Sequence, residues 1–233
     1  MSGQPDIKKT LGILAVDRFV ASGMRLGLGT GSTAIWAVRR VGEKIAEGSL
    51  TGIRAVATSL QSELEARRLG IPLATLNDAG IDCRLDLTID GADEIDPEAR
   101  LIKGGGGALL LEKIVAYASE RFVIIAEASK LSARLCERFA IPVEIAAAAL
   151  GPVIKAVEGM GAEVSLRIAV RKAGPVVTDL GNLLLDVKFR CPFDPREMED
   201  RLKLIPGVLE DGLFTKKPPQ LLIGLPDGSV EQR

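Results

Sequence analysis

The chain has 233 residues, 47% hydrophobic and 26% charged, and its 30 basic and 31 acidic side chains give a formal net charge of −1. This composition is typical of a globular protein, and the balanced charge argues against nucleic-acid and membrane-surface partners. The sequence has no histidine, so the commonest general base and the commonest ligand of a catalytic zinc are excluded. Three scattered cysteines, an N-terminus without a signal-peptide pattern and the lack of a long apolar run predict a reduced protein of the cytoplasm.

The first 130 residues alternate strand-like and helix-like segments. Apolar runs predict strands at 24–29, 53–58, 71–76, 85–90 and 121–126. Helical spacing of apolar positions predicts helices at 32–48, 59–70 and 108–120. Ser59 is the predicted N-cap of the second of these helices, and Gly70 follows its end. Such alternation predicts an α/β fold built of βαβ units around a mostly parallel sheet.

The pattern changes near residue 131, where a second domain is predicted. Its predicted elements are a strand at 143–148, a helix at 150–161, a strand at 162–170, a turn at 179–182 leading into another strand, a helix at 194–205 and a strand at 208–214. Asp194 is the predicted N-cap of the last helix, with Pro195 at its first position. The order βαββαβ resembles the split βαβ, ferredoxin-like plan of small α+β domains. We therefore predict a larger α/β domain at 1–132 and 206–233 and a small α+β domain at 133–205, with 220–225 returning to the first sheet.

Ligands of open parallel sheets gather at the carboxyl ends of the strands. Several residues typical of binding sites follow predicted strands here, namely Gly29–Thr33, Thr58–Ser59, Asp90–Asp93 and Ser129–Lys130. This coincidence predicts one ligand site at that edge of the sheet.

The first of these segments, GLGTGSTA at 27–34, lies at a strand-to-helix turn. Its glycines permit close approach of a ligand, and the N-terminus of the following helix favours an anion. A dinucleotide is the alternative, but Ser32 replaces the third glycine of that fingerprint and no acidic residue ends the second strand. A structural tight turn is the remaining reading, and phosphate binding is the favoured one.

Two further segments carry carboxylates. DGADEID at 90–96 places Asp90 and Asp93 in one turn, where they serve a substrate, a hard cation such as Mg²⁺, or the turn alone. KGGGGALLLEK at 103–113 has four consecutive glycines, whose entropic cost argues against an ordinary surface loop, and Glu112 follows early in a helix.

Together these groups fit an aldose–ketose isomerisation, in which a proton moves between adjacent carbons through an enediolate. Glu112 suits the base, Lys103 or Lys130 the electrostatic stabiliser, and residues 30–33 with the glycine run the phosphate cradle. Asp90 and Asp93 suit hydroxyl binding or proton relay between oxygens.

The motifs GLGTGSTA, DLTIDGADEIDP, LIKGGGGALLLEKI, the SK of EASK, TDLGNLLLDV, IPGVLEDGLF and LLIG closely resemble type A ribose-5-phosphate isomerase, in order, from about residue 8 to residue 228. The resemblance implies a metal-independent enzyme of the pentose phosphate pathway without a cofactor. It also implies a Rossmann-like sheet with helices on both faces, a smaller α+β domain, and a homodimer or homotetramer.

By motif match the resemblance implies that Glu112 is the general base, with Asp90, Asp93 and Lys103 beside it in catalysis. It further implies a set of substrate-binding residues, which comprises Thr30, Gly31, Ser32, Thr33, Asp90, Gly91, Ala92, Asp93, Lys103, Gly104, Gly105, Gly106 and Lys130. Lys8 matches a family lysine near the phosphate after a shift of one residue.

The chain departs from the family pattern at three positions: Gln61 replaces a hydroxyl residue, Glu127 an aspartate, and Leu111 an arginine. No proposed catalytic group is lost. Two alternatives remain. An NAD-dependent dehydrogenase would have an acidic residue at the end of the second strand, which this chain lacks. A non-enzymatic sugar-phosphate sensor would have no need of Glu112.

Overall fold

The computed structural model describes residues 6–233, and the chain divides into two compact units. The first unit comprises the described residues up to Ala92 together with Leu111–Lys130 and Lys217–Arg233. The second comprises Asp93–Leu110 and Leu131–Lys216. Within the described residues, none of the helices has the length and apolar character needed to cross a membrane.

The described residues form the following strands and helices. The strands are β1 (Arg25–Leu28), β2 (Arg54–Ala57), β3 (Leu85–Asp90), β4 (Glu94–Ile95), β5 (Leu101–Ile102), β6 (Ser119–Glu127), β7 (Ile141–Ile145), β8 (Ala162–Leu166), β9 (Leu183–Phe189), β10 (Val208–Asp211), β11 (Leu213–Phe214), β12 (Gln220–Gly224) and β13 (Val230–Gln232). The helices are α1 (Ile7–Phe19), α2 (Ala34–Ala46), α3 (Leu60–Arg68), α4 (Leu109–Tyr117), α5 (Leu150–Glu158) and α6 (Pro195–Lys203).

The first unit is built on a six-stranded sheet with the order β13-β12-β6-β3-β1-β2. Its strands run parallel except β13, which pairs antiparallel with β12 at one edge. The predicted α/β class with a mostly parallel sheet is confirmed, and so is the return of the C-terminal segment to this sheet. The order places β1 beside β3, so the loops that follow them lie at the same edge.

The core of the first unit explains one helix that the sequence analysis missed. Helix α1 packs on the sheet with Leu11, Ala15 and Val16 fully buried. Gly12 and Phe19 are buried on the same broad face, and Ile7 and Leu14, which lie four residues before and three after Leu11, are partly buried beside it.

The predicted strand at 71–76 is wrong, since the structure has a single bridge there between Ala55 and Leu73. Pro72 offers only its carbonyl, which accepts a hydrogen bond from the Ala55 N–H at 2.9 Å. The chain then turns at Thr75–Asp78, where the Asp78 side chain accepts from the Thr75 N–H at 2.7 Å.

The second unit contains a four-stranded antiparallel sheet with the order β10-β7-β9-β8. With α5 and α6 this is the predicted split βαβ arrangement, around a core that includes Ile141, Val143 and Val187. A separate three-stranded sheet, β11-β5-β4, also belongs to this unit. The predicted strand at 208–214 is two strands in the structure, β10 and β11, which belong to different sheets. Gly212 lies between them and passes so close to Lys103 that a Cβ would lie 2.3 Å from the Lys103 carbonyl oxygen.

The predicted helix ends are confirmed where side chains determine them. Ser59 caps α3 through a capping box with Ser62, and Gly70 follows that helix at φ +68°. Asp194 caps α6 by accepting from two backbone N–H groups, with Pro195 in the first turn. The compact units place 93–110 and 206–216 in the second unit; the domain bounds of the sequence analysis stay a prediction.

Candidate active site

The loop after β1 is held by the carboxylate that ends β3. Asp90 is fully buried, and its Oδ1 accepts hydrogen bonds from the Thr30 N–H at 3.0 Å and the Gly91 N–H at 2.8 Å. Gly29 is required at the point of contact, because a Cβ there would lie 2.4 Å from Asp90 Oδ1 and 2.5 Å from the Ile89 carbonyl oxygen. One carboxylate therefore joins two of the predicted binding segments.

The same loop is also held by the start of α3. The Thr30 hydroxyl lies 2.7 Å from the Thr58 hydroxyl and donates to Ser59 Oγ at 2.6 Å. Gly31, at φ +100°, donates its N–H to Gln61 Oε1 at 3.0 Å. Gln61, which departs from the family pattern, thus takes the place of a hydroxyl by accepting from the backbone of the loop.

A cation lies at the outer part of this loop. Lys8, on α1, donates from Nζ to Ser32 Oγ at 3.2 Å, and its Nζ lies 3.5 Å from Glu127 Oε2. Thr33 is the N-cap of α2 and makes no side-chain cap bond there. An ammonium, hydroxyls and the N-terminus of a helix converge, as the binding of a phosphate requires.

Glu112 and Lys130, two more of the predicted site residues, lie in the first unit. Glu112 lies in the first turn of α4 and is only 5% exposed, and the adjacent Lys113 is 4% exposed. Lys130 ends a short 3₁₀ turn, Ala128–Lys130, and is half-buried. Glu112 is therefore a buried group and not a solvated charge on the surface of the helix.

The second unit holds the remaining predicted residues. Asp93 Oδ2 accepts from the Gly105 N–H at 2.7 Å, and the Asp93 N–H donates to the Ile102 carbonyl at 2.9 Å. Lys103 is 2% exposed; its N–H donates to the Gly212 carbonyl at 2.9 Å, and its Nζ lies 5.6 Å from the centroid of the Phe214 ring. Asp93 is therefore hydrogen-bonded directly to the glycine run.

Sequence reasoning missed two charged side chains of the second unit, Arg167 and Asp211, of which Arg167 supports the glycine run. Arg167 donates to the carbonyls of Gly104 and Gly105 and is paired with Asp186. Asp211 is fully buried, and its Oδ1 accepts from the Leu213 N–H at 2.9 Å. An isolated arginine or aspartate carries no local signal of such a role, and only the motif IPGVLEDGLF pointed to the neighbourhood of Asp211.

The fold and these groups define an α/β protein whose glycine-containing loop and buried carboxylate Asp90 lie at the carboxyl ends of its strands, where open parallel sheets bind their ligands. Residues 54–228 match the family model of ribose 5-phosphate isomerase A (phosphoriboisomerase A). The ribose-5-phosphate isomerase A of Treponema denticola is 49% identical over 214 residues, which is 91% of this chain and 90% of that protein.

Solved structures agree with the sequence comparison. Ribose 5-phosphate isomerase A from Methanocaldococcus jannaschii superposes with a TM-score of 0.91 at 41% identity, covering 98% of both chains. A D-ribose-5-phosphate isomerase in complex with phospho-erythronic acid superposes with a TM-score of 0.93 at 37% identity, covering 98% of this chain and 97% of that one.

The chain belongs to the ribose 5-phosphate isomerase A family. It is an aldose–ketose isomerase of the pentose phosphate pathway that interconverts D-ribose 5-phosphate and D-ribulose 5-phosphate. The sensor alternative finds no support among these relatives.

Proposed function

We propose that Glu112 is the general base of this isomerase, taking the proton from C2 of the open-chain aldose and returning it to C1 of the enediolate. Its burial in the first turn of α4 carries the proposal, because a carboxylate held at a fixed place away from bulk water suits proton transfer to and from a bound substrate. A base screened from bulk water also retains the abstracted proton for delivery to the neighbouring carbon.

The oxygens of the enediolate need positive charge and hydrogen-bond donors. We assign the stabilising charge to Lys103, a lysine that is only 2% exposed, because an electrostatic interaction is stronger where water is excluded. Asp90 and Asp93 are assigned to the sugar hydroxyls and to proton exchange between the two oxygens. The amides of Gly104 and Gly106 are further donors to the substrate, while Gly105, whose N–H is bound to Asp93, lines the substrate with its backbone.

The phosphate is assigned to the loop Thr30–Thr33 and the start of α2. Lys8 supports this assignment by its contact with Ser32. Gly91, Ala92 and Lys130 complete the proposed binding residues. This attachment leaves the reacting carbons at the other end of a five-carbon chain, so that phosphate binding orients them without taking part in the chemistry.

We further propose that the reaction needs neither a metal nor a cofactor, and that the enzyme works in the cytoplasm as a homodimer or homotetramer. The residue types of the site support the first point, because carboxylates and lysines suffice for proton transfer through an enediolate. The resemblance to the family supports the others.

The test is formation of ribulose 5-phosphate from ribose 5-phosphate in excess EDTA, with the wild type and Glu112→Gln. We expect the wild type to turn over and the variant to lose about 10²–10⁴-fold in kcat with little change in KM. Glu197→Gln is the matched control, since Glu197 is an exposed glutamate in the first turn of α6.

Equal kcat values for Glu112→Gln and Glu197→Gln would remove Glu112 from the role of base. Loss of wild-type activity in EDTA, restored by a divalent cation, would contradict metal independence. A wild type that binds ribose 5-phosphate but never converts it would contradict the isomerase itself.

A further inference from the structure

Arg167 follows β8 and makes an unusual set of contacts. Its Nη1 donates to the Gly104 carbonyl at 2.9 Å and to the Gly105 carbonyl at 3.2 Å. Its Nε and Nη2 donate to the two carboxylate oxygens of Asp186 at 3.0 and 2.5 Å. All five N–H groups of a guanidinium lie in one plane, so the ion pair with Asp186 fixes the direction in which Nη1 points.

The carbonyls that Arg167 holds belong to the glycine run. In a trans peptide the C=O and the N–H point in opposite directions, so fixing the Gly104 carbonyl also fixes the Gly105 N–H. That N–H donates to Asp93 Oδ2 at 2.7 Å. Fixing the Gly105 carbonyl orients the Gly106 N–H in the same way.

We infer that Arg167 and Asp186 are positioning residues for the isomerisation: they act through the peptide between Gly104 and Gly105 to hold the carboxylate of Asp93 in its productive orientation. This inference rests on the proposed role of Asp93 in the substrate site. Glycine peptides have the greatest conformational freedom of any in the chain, so an external support is needed to hold them in one arrangement.

The support is rigid because it is built on a paired strand. Asp186 lies within β9, opposite Ser165 of β8, and the Arg167 N–H extends that ladder by donating to the Leu184 carbonyl at 2.9 Å. The side chains of Arg167 and Asp186 are 15% and 27% exposed. The pair is thus shielded enough to act as more than a surface salt bridge.

The experiment compares Arg167→Met and Arg167→Lys with Arg190→Met in the ribose 5-phosphate assay. Arg190 is the control because it pairs with Glu163 across the same two strands without contacting the glycine run. We expect both Arg167 variants to lose about 10- to 100-fold in kcat with a smaller change in KM, since loss of orientation acts mainly on the transition state. Lysine does not rescue, because it lacks the planar fork.

A double-mutant cycle with Asp93→Ala separates positioning from general support of the fold. If Arg167 acts through Asp93, then Arg167→Met costs less than about 3-fold in the Asp93→Ala background. Independent, multiplicative losses would overturn the inference, and so would an Arg167→Met enzyme that behaves like Arg190→Met.

Hydrogen exchange supplies a readout that does not depend on turnover. Amides of residues 103–108 should exchange faster in Arg167→Met and Arg167→Lys than in Arg190→Met, while the β7–β9 ladder stays protected in all three. Unchanged exchange at 103–108 contradicts the support itself. A fully active Asp93→Ala enzyme would refute the proposed role of Asp93 and the inference with it, whereas failure of the isomerase function is judged separately, on the wild type alone.

Discussion

Two glycine-containing loops of this protein, Gly29–Thr33 and Gly104–Gly107, are supported through opposite halves of their peptide groups. The loop at Gly29–Thr33 is held through its N–H groups. The Thr30 N–H donates to the Asp90 carboxylate, and the Gly31 N–H donates to the side-chain oxygen of Gln61. The loop at Gly104–Gly107 is held by a cation that donates to its carbonyls, with Asp93 accepting one N–H from the other side. The difference lies in which half of the peptide is used for support.

This difference has a consequence for anion binding. In the first loop two inner amides are already engaged, so the phosphate that we propose to bind there would be attracted by Ser32, Thr33, Lys8 and the start of α2. In the second loop Arg167 engages two carbonyls, while the Gly105 N–H is bound by Asp93 and the Gly107 N–H by the Gly104 carbonyl. We expect the first arrangement to suit a fully charged phosphate beside a lysine, and the second to hold the carboxylate of Asp93 in place for the reaction.

Among the supports of the two loops, the largest effect is expected from Asp90, the carboxylate that holds the first loop. Asp90→Ala removes the acceptor of two backbone N–H groups and a proposed substrate ligand, so kcat/KM for ribose 5-phosphate should fall about 10²–10³-fold. Asp90→Asn keeps an acceptor oxygen, and comparing the two variants separates the support of the loop from the charge. Equal kinetics for Asp90→Ala and wild type would show that Asp90 neither supports the first loop nor contacts the substrate.

Gly29, which follows β1, contacts the end of β3, and a substitution there tests how closely these two segments pack. Gly29→Ala places a Cβ against the Ile89 carbonyl and Asp90, so we expect a loss of about 2–3 kcal/mol in the free energy of unfolding and about a 10-fold higher KM. Gly151→Ala is the control, since its Cβ meets nothing within 4 Å and lies in a helix. Chemical denaturation and steady-state kinetics measure both; equal stability in the two variants would contradict the close approach.

A smaller effect is expected at the outer support of the first loop. Gln61→Met removes the oxygen that accepts from Gly31, an exposed contact in which water replaces the lost acceptor. KM should rise about 3-fold with an unchanged kcat, because the phosphate is bound equally in the ground and transition states. A fall in kcat alone would show that the loop takes part in the chemistry as well.

The smallest effect concerns the helix that carries Ser59 and Gln61. Arg68 and Arg39 donate to Glu65 and lower its pKa to about 2 from 4.5, so this carboxylate stabilises the fold above pH 4.5 and loses that contribution as the pH falls toward 2. Glu65→Gln should therefore lower the Tm at pH 7 by about 2–4 °C, or about 1 kcal/mol, with the difference vanishing near pH 2. Thermal unfolding across this range tests the sign; a pH-independent difference would contradict it.

The sequence predicted the loops but not what holds them. Glycines, strand ends and the Asp90–Asp93 motif stand out because they break the local pattern, and the resemblance assigned them to a site. Arg167 is separated by more than 60 positions from the carbonyls it holds, and nothing in the segment LRIAV distinguishes it from a surface arginine.

The fold was predictable where one periodicity dominated. The buried strands β1, β3 and β6 are apolar runs, and α6 has both an N-cap and a proline at its start. Helix α1 was missed although Leu11, Ala15 and Val16 bury one broad face of it in the core. The segment 71–76 was wrongly predicted as a strand, because its apolar residues are buried or partly buried in the core with only a single bridge. Tertiary packing decided both.

The position of β12 in the sheet affects how the protein is made. β12 pairs with β6 through residues 220–224, yet about 90 residues, including most of the second unit, separate the two strands along the chain. A ribosome adding roughly 5–20 residues per second leaves the edge of β6, with its buried run Phe122–Ala126, without this neighbour for roughly 5–20 s. During that interval the nascent chain exposes an apolar strand edge prone to intermolecular pairing, so chaperone supply and expression rate should govern the yield of folded enzyme.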